Sequence, residues 1–159
     1  MGSIAKPKKS VLVRPAWPDE GPALSELAMN AKARWGYDDD FMESCRDELT
    51  ITRERIGRER IRVAETGGVL AGFAAMKVDE ERTSVEDLFV SPSFIGTGIG
   101  QILVDDFLQY ARRHGIRLVH VEADPNAAPF YEHVGFRLCG EVASGSIPGR
   151  RLPLMEVRF

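Results

Sequence analysis

The hydrophobic positions of the chain repeat with two different periods, and these periods predict strands separated by helices. Short runs of alternating or continuous apolar residues predict seven strands, at Val11–Val13, Ile61–Glu65, Leu70–Lys77, Ser84–Val90, Leu118–Ala123, Phe136–Val142 and Leu152–Phe159. Apolar residues at helical spacing, bounded by residues that cap or end helices, predict four helices. These run from Asp19 to about Trp35, over Asp40–Leu49, from Gly98 to about His114, and over Asn126–His133, with Asp19 and Asn126 as N-caps.

The order of these elements predicts an α+β fold. One strand and two helices precede three strands joined by short turns, and the turn Thr66-Gly67-Gly68 is typical of a hairpin. A helix, a strand, a helix and two further strands follow, so the sheet is predicted to be mixed. Residues 11–159 are predicted to form a single domain, and residues 1–10 a disordered N-terminal tail.

Composition and charge narrow the class of protein. The 159 residues include 43% hydrophobic and 28% charged residues, which is typical of a soluble globular domain. A net charge of −3 argues against nucleic-acid binding through a basic face. No apolar run approaches membrane-spanning length, and the N-terminal segment lacks the apolar core of a signal peptide. We therefore expect a cytoplasmic protein with neither nucleic acid nor membrane among its partners.

The two cysteines predict free thiols. Cys45 and Cys139 lie far apart in the chain and follow no metal-ligand spacing, and no histidine has such a spacing either. The sequence therefore predicts neither a disulfide bond nor a metal site.

Three glycines stand at every second position between a predicted strand and a predicted helix, in the stretch FVSPSFIGTGIGQILV. The free N–H groups and the positive dipole end of a helix N-terminus suit a pyrophosphate. A P-loop requires Lys after its last glycine, but Gln101 follows Gly100, and the dinucleotide-binding glycine spacing is not met either. From the glycines alone, a tight turn without a ligand remains an equal alternative.

A second segment, ADPNAAPFYEHVGF, follows the next predicted strand, and the two segments together resemble the GNAT superfamily of acetyl-CoA-dependent N-acetyltransferases. Gly98 and Gly100 match the glycines of the family's motif Arg/Gln-x-x-Gly-x-Gly/Ala. The matches in the downstream segment are Asp124, Ala127, Phe130, Tyr131, Gly135 and Phe136. Ile95 departs from the motif, because it stands where the family has Arg or Gln.

The resemblance implies a mixed, mostly antiparallel sheet of about seven strands with about four flanking helices, in which the two central parallel strands splay apart. It also implies acetyl-CoA as co-substrate, with no metal. Backbone groups of Leu88, Phe89 and Val90 would then pair with the pantetheine arm. The pyrophosphate would be bound by backbone N–H groups and by the Thr97 hydroxyl, within the set Gly96, Thr97, Gly98, Ile99, Gly100 and Gln101. Asn126, a helix cap in its simplest interpretation, would also contact the coenzyme.

Two residues are the candidates for catalysis by resemblance. Glu86 matches a general base that acts through water, and Tyr131 matches the general acid that protonates the coenzyme A thiolate. Alternation along the strand predicts that Glu86 shares a face with Leu88 and Val90, opposite Asp87. A solvated carboxylate and a core aromatic are the simpler interpretations of these two residues, and Glu122 is the alternative base.

The acceptor side is less defined by the sequence. Trp35 and Tyr37 lie beside three aspartates, where a packed aromatic pair and a helix cap are the simpler interpretation and a rim for a cationic amine is the functional one. Glu122 and Arg150 are further candidate substrate contacts. The predicted acceptor is a small-molecule primary amine. A protein N-terminus or lysine as acceptor, a non-catalytic coenzyme A-binding module, and a homodimer all remain open.

Overall fold

A seven-stranded mixed sheet forms the centre of the computed structural model, which describes residues 10–159. Its strand order is β1-β2-β3-β4-β5-β7-β6. The strands are β1 (Val11–Pro15), β2 (Arg60–Thr66), β3 (Val69–Val78), β4 (Thr83–Val90), β5 (Leu118–Glu122), β6 (Arg137–Ala143) and β7 (Arg151–Arg158). All neighbouring pairs are antiparallel except β4 and β5, which are parallel. The predicted α+β mixed sheet is confirmed, whereas the predicted tail of residues 1–10, apart from Ser10, lies outside the described residues.

Five helices pack against this sheet within the described residues. They are α1 (Gly21–Ala33), α2 (Asp39–Leu49), α3 (Arg53–Arg58), α4 (Ile99–Arg113) and α5 (Ala128–His133), and a short 3-10 turn spans Pro92–Phe94. Four of the helices were predicted from apolar spacing. The helix α3, with the sequence RERIGR, was missed because it has no apolar stripe; its one signal is Thr52, whose side chain accepts a hydrogen bond from the N–H of Arg55.

The residues that cap these helices differ from two of the predictions. Asp19 does not cap α1, because that helix begins at Gly21 with Glu20 at the N-cap position. Asn126 does not cap α5 either, because Ala127 occupies that N-cap position. Asp38 does cap α2, since its carboxylate accepts a hydrogen bond of 2.8 Å from the N–H of Phe41.

A hydrophobic cluster lies on each face of the sheet. The α4 and α5 side includes Leu103, Phe107 and Val119, whereas the α1 and α2 side includes Leu24 and Phe73; all five are almost completely buried. Burial of such apolar surface is the main favourable term in folding. Within residues 10–159, no helix has both the length and the apolar character needed to cross a membrane.

The parallel pair at the centre of the sheet is short. Only Thr83–Val85 of β4 pairs with β5, opposite Val119–Val121. On its other side β4 remains paired with β3 as far as Val90. The backbone edge of Glu86–Val90 that faces β5 therefore has no strand partner among the described residues, and a gap opens there between the two strands.

A β-bulge marks the point where the strands part. Asp87 pairs with Ala75, but Val85 pairs with the next residue, Met76, so Glu86 is an extra residue in β4. Val85 and Leu88 consequently pack in the same hydrophobic cluster, although strict alternation would place them on opposite faces. The alternation thus shifts by one residue at Glu86, so the predicted face of Glu86 no longer follows from alternation along β4.

Candidate active site

The gap between β4 and β5 opens into a cavity of about 1260 Å³. One part of the cavity is lined by the glycine-containing loop, the first turn of α4 and the helix α5. Another part is lined by residues of α1, α2, α3 and the loop between β6 and β7, and the unpaired half of β4 runs between the two parts. The cavity therefore brings together the segments in which the sequence predicted a phosphate site and an acceptor site.

The glycine loop has the backbone geometry of an open helix N-terminus. Gly96 and Gly98 have φ values of +78° and +87°, a conformation that favours glycine, and a Cβ atom at either position would meet nothing within 4 Å. Gly98 occupies the N-cap position of α4, and the first hydrogen bond of the helix runs from the N–H of Ile102 to the Gly98 carbonyl. The preceding N–H groups of the first turn have no helical acceptor, so this end of the helix suits an anion.

Gly100 is required for a different reason. A Cβ atom at this position would lie 3.1 Å from the Phe130 ring, which is tighter than ordinary van der Waals contact. Glycine here lets α5 pack closely against the first turn of α4. Of the three glycines, two therefore serve the backbone conformation and the third serves packing.

Two side chains of the same loop differ in their freedom to contact a ligand. The Thr97 hydroxyl donates a hydrogen bond to the Phe94 carbonyl, so its proton is already engaged. Ile95 is 44% exposed and lines the cavity. The side chain at the position where the family has Arg or Gln therefore faces open space and not the core.

Tyr131 presents a buried ring to the cavity. The ring contacts Phe130 and Phe136 edge to face, at centroid distances of 5.6 and 5.4 Å, and the residue is 5% exposed. Its hydroxyl makes no hydrogen bond with a described residue, so it is free to engage a ligand. Burial raises the pKa of Tyr131 above its usual value, and the nearby charge of Asp87 acts in the same direction. The phenol therefore keeps its proton at neutral pH.

Two glutamates lie at the cavity with exposed carboxylates. Glu86, at the bulge of β4, accepts a hydrogen bond of 2.9 Å from the Ser84 hydroxyl. Glu122, at the end of β5, is exposed and lines the same cavity. Both predicted candidates for the base thus border the gap between the two strands.

A buried ion cluster, which sequence reasoning missed, lies behind Glu86. The Arg55 guanidinium of α3 contacts Asp87 at 2.5 Å and Glu59 at 2.5 Å. Burial raises the pKa of Asp87 to about 6, although Arg55 opposes this effect. One guanidinium thus serves two carboxylates, and it connects α3 to the strand that carries Glu86. Arg55 and Glu59 are four residues apart, but Asp87 lies 32 residues further along the chain than Arg55, so no local pattern links the carboxylate of β4 to the other two.

The hydroxyl of Tyr37 is the centre of a polar cluster on the acceptor side. It donates to the Asp124 carboxylate at 2.8 Å, and it accepts from Arg150 at 2.7 Å and from the Asn126 side-chain amide at 3.0 Å. Lys32 contacts the same carboxylate at 3.2 Å. We call these five residues the Tyr37 cluster; it joins α1, the loop before α2, the loop before α5 and the loop between β6 and β7.

The charges in the Tyr37 cluster are mutually stabilised. Burial acts to raise the pKa of Asp124, but the N–H of Asn126, the Tyr37 hydroxyl and Lys32 together hold that pKa below its usual value. Arg150 also packs over the rings of Tyr37 and Phe41, which stack on each other at 4.0 Å.

The predicted substrate residues differ in their surroundings. Tyr37 accepts hydrogen bonds from Arg150 and from Asn126, the residue predicted to contact the coenzyme. The ring of Tyr37 stacks on Phe41 and not on Trp35, so the expected pair of Trp35 and Tyr37 is not found among the described residues. Trp35 is 52% exposed and lines the cavity, so its ring is available to a ligand.

Known acetyltransferases are similar to this chain in sequence. The protein-family model described as an acetyltransferase (GNAT) domain matches residues 29–146. A glucosamine 6-phosphate N-acetyltransferase of Trypanosoma brucei brucei is 31% identical over 77 residues, which are 44% of this chain and 52% of the relative. A streptothricin acetyltransferase of Streptomyces lavendulae is 36% identical over 78 residues, which are 46% of this chain and 41% of the relative. The match thus spans about half the length of these curated relatives.

A solved structure resembles almost the whole chain. The PaiA N-acetyltransferase from Thermoplasma acidophilum, crystallised in complex with coenzyme A, superposes with a TM-score of 0.79 at 19% sequence identity. The alignment covers 94% of this chain and 99% of that structure. At this level of identity the similarity establishes a shared fold, and it confirms the fold that the sequence resemblance implied.

The Asp124→Asn variant tests whether the Tyr37 cluster stabilises the protein. We expect the free energy of unfolding at pH 7 to fall by about 1–3 kcal/mol, because buried donors lose a charged acceptor. The folded-state pKa of Asp124 is depressed, so the ionised carboxylate stabilises the protein above its unfolded pKa, and this contribution is lost as pH falls through the folded pKa. In urea titrations, the free energies of unfolding of Asp124→Asn and wild type should therefore differ less at pH 3 than at pH 7.

Asp19→Asn is the matched control, because Asp19 is exposed and no hydrogen bond engages its side chain among the described residues. The free energy of unfolding of this variant should lie within about 0.5 kcal/mol of the wild-type value at both pH values. Equal stability of Asp124→Asn and Asp19→Asn at pH 7 would contradict a stabilising role for the cluster.

Proposed function

The chain belongs to the GNAT acetyltransferase family, and from this premise we propose that it transfers the acetyl group of acetyl-CoA to a primary amine of a small molecule. One observation carries the proposal. The unpaired edge of β4, the free N-terminus of α4 and the Tyr131 side chain all border a single cavity. These are a backbone edge, an anion site and a proton donor, which are the three features that the reaction needs.

The coenzyme fits the geometry of the gap. The unpaired backbone of Leu88, Phe89 and Val90 can pair with the amide groups of the pantetheine arm, as an added strand would. The free N–H groups of Ile99, Gly100 and Gln101 then receive the pyrophosphate at the positive end of α4. This arrangement directs the thioester towards the bulge at Glu86.

The proposed reaction is a direct transfer. Glu86, acting through water, accepts a proton from the substrate ammonium, and the neutral amine attacks the thioester carbonyl. A carbon–nitrogen bond forms, the carbon–sulfur bond breaks, and Tyr131 protonates the departing thiolate. The proton that the nitrogen loses on becoming an amide passes to solvent, and solvent returns a proton to the Tyr131 phenolate. The raised pKa keeps the Tyr131 phenol protonated at neutral pH, but it also makes the phenol a weaker acid, so the support for this role is the position of the hydroxyl at the cavity.

The closed acceptor side supports a small molecule over a peptide. The loop between β6 and β7 packs on α2, since a Cβ atom added at Gly145 would lie 2.8 Å from the Glu48 carboxylate. Arg150 holds the end of this loop in the Tyr37 cluster. We take this packing to favour a small amine over a peptide, which needs an open groove; Trp35 and Glu86 both line the cavity that such an amine would enter. The names of the two curated relatives also refer to small-molecule acceptors.

Release of free thiol from acetyl-CoA, measured with a panel of amines, tests the proposed function. The panel contains amino sugars, polyamines, amino acids, and peptides with a free N-terminus or a lysine. We expect turnover with members of the small-molecule group and little with peptides. Faster turnover with peptides would support protein acetylation instead. Acetyl-CoA binding without turnover of any amine would indicate a non-catalytic coenzyme A-binding module.

The Ile95→Arg variant tests the pyrophosphate site. Because the Ile95 side chain is exposed at the cavity, a guanidinium there should reach the phosphates and tighten acetyl-CoA binding by about tenfold, the equivalent of one charged hydrogen bond. Isothermal titration calorimetry measures the change. Leu12→Arg, at an exposed position on the edge strand β1, adds the same charge elsewhere and should leave the affinity unchanged. If the two variants bound acetyl-CoA with equal affinity, the result would contradict a pyrophosphate position next to residue 95.

The Glu86→Gln variant tests the general base. It keeps the size of the side chain but removes the proton acceptor, so turnover should fall by about 10²–10⁴-fold while acetyl-CoA affinity holds. A higher pH should partly restore the rate, because a larger fraction of the amine is then neutral. Glu122→Gln is the matched comparison at the other exposed glutamate of the cavity. If that variant shows the larger loss, the base is Glu122.

The Tyr131→Phe variant tests the general acid. It removes one hydroxyl and retains the ring that packs against Phe130 and Phe136, so kcat should fall by about ten- to a thousand-fold with little change in acetyl-CoA affinity. With an acyl donor whose leaving thiol has a lower pKa, the difference in kcat between the variant and wild type should be smaller. Tyr110→Phe, at a tyrosine that does not line the cavity, is the control and should keep the wild-type rate. An unchanged kcat in a folded Tyr131→Phe variant would make Tyr131 a packing residue only.

A further inference from the structure

Three strands in the second half of the sheet bring a histidine, a cysteine and a glutamate together. His120 of β5 lies directly opposite Glu156 of β7, with 3.5 Å between Nε2 and Oε2. Cys139 lies on the neighbouring strand β6. One ligand atom from each of the three side chains lies within 4.8 Å of the other two. Cys139 follows His120 by 19 positions and precedes Glu156 by 17. These separations match no known metal-ligand spacing, so the sequence does not indicate the group.

A β-bulge turns Cys139 towards this group. Leu138 pairs with Met155 and Gly140 pairs with the adjacent Leu154, which leaves Cys139 as the extra residue of β6. Bulges of this kind re-aim a side chain out of the regular alternation. The thiol thereby reaches the line of side chains formed by His120 and Glu156.

The hydrogen bonding inside the group is incomplete. His120 Nδ1 is buried and has no hydrogen-bond partner among the described residues. Glu156 is buried, and its Oε1 accepts from Arg137 at 3.0 Å and from Arg158 at 3.1 Å. Its other oxygen, Oε2, lies 3.5 Å from Nε2 of His120 and accepts a long hydrogen bond of 3.5 Å from Arg158. One nitrogen of the imidazole therefore lies beside a carboxylate that arginines hold in place, and the other nitrogen is buried without a partner among the described residues.

Imidazole, thiolate and carboxylate are the ligand types that zinc takes in proteins. A carboxylate whose second oxygen is fixed by hydrogen bonds is the usual arrangement around a bound metal. We propose that His120, Cys139 and Glu156 form a binding site for one zinc ion. The exposure of Cys139 leaves a fourth coordination position open to solvent. The two arginines oppose a dication, so the site should bind zinc more weakly than a closed four-ligand site does.

The proposed site is separate from the cavity in which acetyl transfer is proposed. None of its three residues lines that cavity. An ion held there would join the edge strand β6 to the interior strands β5 and β7. Because the three ligands come together only in the folded chain, zinc should raise the thermal stability of the protein.

Zinc binding to the full chain tests the site without reference to enzyme activity. Equilibrium dialysis of the metal-free protein with Zn²⁺ should give one ion per chain. Co²⁺ as a probe should give an absorption band from thiolate-to-metal charge transfer. Cys139→Ser should weaken Zn²⁺ binding by at least about tenfold and abolish the Co²⁺ band. Cys45→Ser, at the buried cysteine outside the group, is the matched control and should bind as wild type does.

Thermal melts complete the test. Zn²⁺ should raise the Tm of wild type and of Cys45→Ser, but not that of Cys139→Ser. The proposal is overturned if wild type binds no zinc, if a folded Cys139→Ser variant binds it equally well, or if Cys45→Ser is the variant that loses it. Should Cys139→Ser fail to fold, the Co²⁺ spectrum of wild type decides, because a spectrum without the thiolate band excludes Cys139 as a ligand.

Discussion

The parting of β4 from β5 is the constraint on which the rest of the structure depends. The two strands pair over three residues each and then separate, so backbone groups of Glu86–Val90 face a gap instead of a neighbouring strand. Unpaired backbone groups away from water are costly, and a stable protein tolerates them only where water or a ligand can satisfy them. A gap of this kind inside a sheet therefore leaves hydrogen bonds unmade, and it exposes backbone groups with which a ligand that carries amide groups can pair.

The elements around the gap are arranged so that it stays open. The bulge at Glu86 changes the direction of β4 where pairing with β5 ends. Phe130 of α5 packs against the first turn of α4, where a Cβ atom at position 100 would lie only 3.1 Å from its ring. Arg55 of α3 ties β4 from the opposite face through Asp87. Each contact fixes one wall of the cavity, and together they hold Tyr131 and Glu86 at the same opening.

The wall of the cavity that contains the Tyr37 cluster is held in place by polar contacts. The Tyr37 cluster draws four separate segments to one hydroxyl group and one carboxylate, and each charged member has a partner of opposite charge. Such a network is stable only when all of its members are satisfied, because an unpaired buried charge costs more than the network contributes. Tyr37 and Arg150 thus support the shape of this wall of the cavity, while the Trp35 ring stays exposed at it.

The sequence by itself determined the elements that rest on local rules. Apolar spacing identified all seven strands and four of the helices, and the glycines at positions 96 and 98 marked the turn into α4, because hydrophobic period and positive φ are properties of a short segment. The two motifs identified the family and placed Tyr131 beside the predicted coenzyme site. The three aspartates beside Tyr37 indicated a helix start for the same local reason, whereas the caps assigned to Asp19 and Asn126 were wrong, because those helices begin with Glu20 and Ala127 at their N-cap positions.

Only the tertiary structure decided the features that join distant segments. The bulge at Glu86 depends on how β4 meets β3, so alternation along one strand could not reveal it. The helix α3 is joined to β4 by the ion pair of Arg55 and Asp87 and has no apolar stripe, which left the Thr52 cap as its one sequence signal. The partners of Tyr37 and the grouping of His120 with Cys139 and Glu156 come from strands and loops far apart in the chain. Local rules fix where elements form, but side-chain contacts across the sheet exist only once the chain has folded.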